Sequence, residues 1–164
     1  MEEPEVQVPE VYVQPGEAHL AKSPTLFRTV LGSCVGVAFW VPRRSIGALC
    51  HPMLPKIPLK QAAQMSAAQA RRYVDFTIRD MARRIDELGV PRAEVRIKLF
   101  GGGDVLLVTE GNTRPTVGKL NCEMALRVLE EEGLGVVASS LGGTSGLHIQ
   151  FHTGTGEVLL RRLG

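Results

Sequence analysis

The chain lacks most of what would take it out of an ordinary reducing, aqueous compartment. No apolar run reaches the roughly 18 residues that a membrane-spanning helix needs. The opening MEEPEVQVPE is acidic and proline-rich, unlike the basic, apolar start of a secretory leader. Cysteine is scarce: Cys34, Cys50 and Cys122 are an odd number without CxxC spacing, which argues for free thiols rather than a disulfide framework. Charge of either sign is nearly balanced, at +2 for the whole chain. That is too little to suggest a nucleic-acid binder, and the short arginine pairs, such as Arg71-Arg72 and Arg83-Arg84, read as solvated helix faces. These absences together point to a cytoplasmic protein.

What is present is ordinary core material. At 164 residues, 44% of them apolar, the chain is expected to form one domain and to bury about 70% of its unfolded surface. Residues 1–10 are expected to be a flexible N-terminal segment, and residues 11–164 the domain. VQVPEVYVQPGE alternates enough for a strand closed by Pro15-Gly16. LFRTVL, VGVAFWV and IGALCHPML follow as strands, the first two joined at Gly32-Ser33 and the last two by the turn PRRS. Ser66 and Gln69 have capping-box spacing, so a long helix is expected from near Ser66, carrying Tyr73, Ile78, Met81, Ile85 and Leu88 and stopping at Gly89. VRIKLF is a strand broken by Gly101-Gly102-Gly103, and DVLLV is a candidate short strand. A second helix is expected from near Gly118 or Asn121 to Gly133. GVVASSLGG is one more strand, and LHIQFHT and EVLLRRL form a closing hairpin. Strands, helix, strand, helix, strands is an α+β order: a single layered domain of mixed and antiparallel strands covered by two main helices.

Chemistry concentrates in the first hairpin. If PRRS joins antiparallel partners, Val41 faces Ile46, Ala38 faces Leu49 and Gly36 faces His51. Alternation then puts Cys34, Gly36 and His51 on one face and Cys50 with Val37 on the other. Cys34 and His51 become diagonal neighbours, about 7 Å apart at the backbone. Gly36 is expected to leave open space beside the imidazole. A slip of one residue would separate the pair. A thiol beside an imidazole suggests a thiolate–imidazolium pair, a nucleophile with its own acid–base partner. Backbone N–H groups around Gly32, Ser33 and Cys34 could hold a developing oxyanion, because glycine permits close approach. Such a site suits acyl chemistry on an amide, ester or thioester.

The other candidates are weaker. Cys50 and Cys122 read as packing residues. The three glycines lack the lysine and hydroxyl of a phosphate loop and read as a tight turn. His148 and His152 share a strand face, but no further ligand completes a metal site. His19 reads as an exposed loop residue. No cofactor or metal is expected.

TVLGSCVGVAFW followed by GALCHPMLP resembles the chemoreceptor glutamine deamidase family, CheD. The resemblance rests on Leu31-Gly32-Ser33-Cys34 and His51-Pro52-Met53-Leu54-Pro55. It continues through KLFGGGDVL, VGKLN and LGGTSGLHIQFHTGTGEVLLRRL, about residues 11–163 in all. It implies a CheD-like cysteine hydrolase fold and a protein-glutamine glutaminase that converts glutamines of methyl-accepting chemotaxis receptors to glutamate, releasing ammonia. Cys34 would be the nucleophile and His51 the base and then the acid. The family's third site residue is a threonine. Thr29 is the candidate, five residues before Cys34, while Arg28 stands six before, where a longer family pattern has its threonine. The resemblance also implies association with receptors and with a CheC-type phosphatase. That leaves open an alternative: a regulatory binding module with weak or lost catalysis. A third reading is another cysteine acyl-transfer enzyme.

Overall fold

The computed structural model describes residues 7–105 and 114–164. Among the described residues, nine strands divide between two sheets, and the two longer of four α-helices cover one of them. β1 (Glu10–Tyr12), β3 (Leu26–Leu31), β8 (Gly146–His152) and β9 (Val158–Leu163) form the first sheet, in the order β1-β3-β8-β9. β2 (Ala18–Ala21), β5 (Ile46–Cys50), β4 (Val35–Val41), β6 (Arg96–Gly101) and β7 (Gly135–Leu141) form the second, in the order β2-β5-β4-β6-β7. β1–β3 and β6–β7 pair in parallel and the other neighbours are antiparallel. The class is α+β, as the order of patterns suggests.

β4 and β5 of the second sheet are buried on both faces, and this explains why VGVAFWV and IGALC read as nearly continuous apolar runs. Val35, Val37, Phe39 and Val41 face the helices together with Ala48 and Cys50. Ala38 and Leu49 face the first sheet, against Phe27, Leu31, Ile149 and Phe151. β4 is therefore the central strand of three layers. The hairpin register follows the sequence reading: Val41 pairs with Ile46, Ala38 with Leu49 and Val37 with Cys50.

The helices depart from expectation at one place. Leu59–Ala62 (α1) and Ala67–Ala70 (α2) are single turns, and the Ser66–Gln69 capping box forms on α2. The long helix α3, however, spans Val74–Asp86 instead of starting near Ser66. Tyr73 is extended, at φ −105° and ψ 133°. The Arg72 carbonyl accepts from both Met53 N–H and Leu54 N–H, and Val74 N–H donates to Leu54 O. Pairing with the segment after His51 thus replaces a turn of helix. α4 (Val117–Glu131) is capped by the Thr116 hydroxyl, which accepts from Lys119 N–H. Two smaller readings also change. His19 lies half-buried on β2, with Nε2 3.3 Å from Glu17. Of the candidate strand DVLLV, Asp104 and Val105 are not in a strand, and its remainder lies outside the described residues. No helix among the described residues is long and apolar enough to cross a membrane.

Candidate functional site

β3 and β4 are consecutive in sequence but belong to different sheets. The turn at Gly32-Ser33 that links them therefore crosses from one layer to the next and delivers half-exposed Cys34 at the seam between the sheets. Cys34 packs against the inter-sheet core, the side on which Ala38 and Leu49 lie. Cys50 is fully buried on the other face, and burial pushes its thiol up to about 12.

Three successive carbonyls of this turn are held from behind. Gly32 O accepts from Gly103 N–H at 2.9 Å, and Cys34 O from Gly102 N–H at 2.8 Å. Ser33 O accepts from the side chain of Asn121 at 2.9 Å. The triple glycine is thus a turn that grips the cysteine segment. Gly101 and Gly102 have φ of +95° and +65°, and a Cβ on Gly101 would run into the Cys34 carbonyl. Only glycine meets both demands.

His51 sits just past the end of β5, 1% exposed. Its backbone is tied on both sides: its N–H donates to Glu17 O at 2.9 Å, and its carbonyl accepts from Gly16 N–H at 2.8 Å. Its ring reaches across the seam to β3. Thr29 Oγ1 lies 2.7 Å from His51 Nδ1 and 2.7 Å from the Val13 carbonyl. A carbonyl only accepts, so the hydroxyl hydrogen goes to Val13 O, and Thr29 Oγ1 must accept from Nδ1–H. That choice of tautomer leaves the Nε2 lone pair free to take a proton. Alternation along β3 explains why Thr29 does this and Arg28 does not. Thr29 points inward and is fully buried, whereas Arg28 points outward and pairs with Glu10.

The electrostatics favour a neutral pair at rest. Burial pushes His51 down to about 4, against a smaller upward pull from the Val13 carbonyl and Glu17. Burial also pushes the Cys34 thiol up, partly offset by its own backbone N–H. At neutral pH the groups are thiol and imidazole, not the ion pair that their spacing suggested. No hydrogen bond joins them among the described residues. This suits a base that takes the thiol proton as the nucleophile attacks, since such contacts often tighten only around substrate.

Gly36 is a second correction. The space beside it is not open: a Cβ there would lie 2.9 Å from Leu31 Cδ1 and 3.5 Å from Ile149 Cδ1. Gly36 lets the two sheets close on each other behind the site rather than enlarging it. Cys122 reaches toward the Gly101 and Gly102 carbonyls at 3.8 and 3.9 Å, under the glycine turn. His148 and His152 lie on the outward face of β8.

Asn121 is the site residue that the sequence reading did not single out. It is fully buried on α4, and its Nδ2 donates to Ser33 O and, at 3.0 Å, to Met53 O. The available signal was an amide in the helix's buried stripe, alongside Gly118, Ala125, Val128 and Leu129.

Comparison with known proteins finds similarity along almost the whole chain. A family model described as CheD chemotactic sensory transduction matches residues 53–162, opening two residues beyond His51. The probable chemoreceptor glutamine deamidase CheD 2 of Geobacter sulfurreducens is 42% identical over 157 residues, 96% of this chain and 92% of that one. The probable chemoreceptor glutamine deamidase CheD of Maridesulfovibrio salexigens is 35% identical over 157 residues, 93% and 91% of the two chains. The solved structure of the Bacillus licheniformis hypothetical protein YfiH reaches a TM-score of 0.44 at 16% identity, over 71% of this chain and 49% of that one, a likeness too slight to carry an argument. A family match over two thirds of the chain, with identity of this order across nearly all of it, places the protein in the CheD family.

Proposed function

We propose that this protein is a cysteine-dependent protein-glutamine deamidase acting on chemoreceptors in chemotaxis adaptation, with residues 11–164 as the working domain. The observation that carries this reading is the Thr29–His51 contact beside the cysteine turn. It orders an imidazole with a free Nε2 lone pair at the seam where Cys34 emerges.

Cys34 Sγ attacks the carboxamide carbon of a receptor glutamine while its proton passes to His51 Nε2. The oxyanion that forms is held by the N–H groups of the Gly32-Ser33-Cys34 turn. The tetrahedral centre collapses, the C–N bond breaks, and His51 returns the proton to the departing ammonia. Water then attacks the thioester carbonyl, with His51 again as base, to release glutamate and restore the thiol. Thr29 keeps the ring in the tautomer that each proton transfer needs. The reaction calls for no cofactor. The substrate is a helical receptor segment met at the aqueous face of the membrane, which suits a cytoplasmic enzyme, and a CheC-type phosphatase is its second partner.

The test is to incubate a receptor cytoplasmic fragment with the protein and follow the increase of about 1 Da at glutamine by mass spectrometry. A shift abolished by Cys34→Ala and His51→Gln supports the reading. No shift with the wild-type protein, while the phosphatase still binds, would replace it with the regulatory binding module. Cleavage of peptide bonds or crosslinking to amines would replace it with another acyl-transfer enzyme.

A further inference from the structure

The Ser33–Cys34 peptide is the piece of backbone nearest the chemistry, and one buried side chain sets its orientation. Asn121 Nδ2 donates to Ser33 O at 2.9 Å and to Met53 O at 3.0 Å. Two carbonyls can only be met by a donor, so the amide cannot be reversed. The first carbonyl belongs to the residue before Cys34, and the second to a residue two positions beyond His51. A single amide therefore spans the two segments that carry the reacting groups.

A trans peptide is planar, with its N–H opposed to its C=O. Holding the Ser33 carbonyl toward α4 thus turns the Cys34 N–H the other way. The neighbouring carbonyls, Gly32 O and Cys34 O, are held from behind by Gly103 and Gly102. Among the described residues, the N–H groups of Ser33 and Cys34 donate to no oxygen. The close seat of α4 makes this reach possible. Gly118, one turn before Asn121, lies so near that a Cβ there would stand 2.5 and 2.6 Å from the Gly102 and Gly103 carbonyls.

Asn121 serves this role at a cost, since its Oδ1 is buried without a hydrogen-bond partner. A hydrocarbon in its place would avoid the orphaned acceptor. It would not hold the two carbonyls.

We propose that Asn121 is the positioning residue of the oxyanion site: by clamping the Ser33 and Met53 carbonyls it aims the Cys34 N–H at the oxygen of the group under attack and keeps that donor in register with His51. The proposal rests on the deamidase reading for its substrate but can be tested apart from it. The probe is a short peptide bearing an aldehyde in place of a glutamine carboxamide. Cys34 Sγ adds to the aldehyde carbon and the thiol hydrogen ends on the former carbonyl oxygen, giving a hemithioacetal that needs the oxyanion donors. Alkylation by iodoacetamide forms an S–C bond with loss of iodide and develops no such oxygen.

In Asn121→Ala, aldehyde affinity and deamidation kcat should fall by about tenfold to a hundredfold, somewhat less than deleting an oxyanion donor outright costs. KM and the alkylation rate should change by no more than about threefold. Unchanged aldehyde affinity, equal losses in both reactions, or a raised KM at unchanged kcat would each overturn the proposal. If Asn121→Ala does not fold, the wild-type protein decides. On formation of the aldehyde adduct the ¹⁵N-labelled Cys34 amide proton should move downfield, and an unmoved resonance rejects the role. If the wild-type protein forms the adduct but deamidates no receptor glutamine, the function fails while the Asn121 assignment stands.

Discussion

At the scale of single residues, the proposed chemistry depends on keeping His51 neutral and correctly turned. Thr29 does the turning with one oxygen that donates to Val13 and accepts from His51. Thr29→Val keeps the shape but leaves two buried polar groups unpaired, at a cost of about 1–3 kcal/mol each. We expect urea denaturation to show a loss of about 2–6 kcal/mol for the two groups together and deamidation kcat to drop at least about tenfold, while Thr29→Ser retains most of both; wild-type activity in Thr29→Val would remove the threonine from the site.

The histidine also sets a pH dependence. Its folded pKa of about 4 lies below its ordinary 6.5, so between those values the unfolded chain binds more protons. Stability contributed by this group is complete above pH 6.5 and declines as pH falls toward 4, by up to about 3 kcal/mol. The expected result is a stability slope over this window, by denaturant titration, that is markedly shallower in His51→Gln. The same shift predicts that the acidic limb of kcat/KM falls well below 6.5.

At the scale of elements, the working unit is a stack: the N-terminal turns of α4, the glycine turn after β6, and the cysteine turn between β3 and β4. Gly118 is where this stack is tightest. Glycine to alanine inside a helix ordinarily gains up to about 1 kcal/mol. Here the added methyl would press on two backbone carbonyls at 2.5 and 2.6 Å, which cannot swing aside as a side chain could. Gly118→Ala should therefore lower the thermal midpoint and also reduce activity, because α4 must back away and take Asn121 with it. A stabilised, fully active variant would show that the stack has slack. The break between α2 and α3 belongs to the same scale. A capping box and an apolar stripe suggest one helix, yet the chain turns after Arg71 and Tyr73 is extended, so that Arg72 and Val74 pair with Met53 and Leu54 just beyond His51.

At the scale of the whole molecule, the two apolar layers have different duties. The layer between the sheets supports the site, and the layer under the helices supports the fold. Ile149 and Ile78 are both fully buried, one in each layer. Truncating either to alanine should cost about 2–5 kcal/mol. Ile149 is the cross-strand partner of Thr29 and packs near Gly36, so Ile149→Ala should also lower kcat in the protein that remains folded. Ile78→Ala should leave kcat of the folded fraction near wild type. Equal kcat values in the two variants would remove the distinction between the layers.

Much of this could be read from the chain itself. Period-two alternation in VGVAFWV and IGALC, with a four-residue turn between them, determined the hairpin register and placed Cys50 on the face opposite Cys34. Glycines marked where α4 ends and where the closing hairpin turns. The motifs around Cys34 and His51 determined the family. What the sequence could not determine is anything that depends on two layers meeting. β3 and β4 read as neighbours, but the turn between them changes sheets. That crossing brings Thr29 over His51, fills the space beside Gly36 with Leu31, and buries the His51 ring deeply enough to rest uncharged. Asn121 lies 87 residues from Cys34 and joins it only because glycines at 102, 103 and 118 let a helix sit against a turn. Local patterns act through the chain's own geometry, whereas contacts of this kind exist only once the layers have packed.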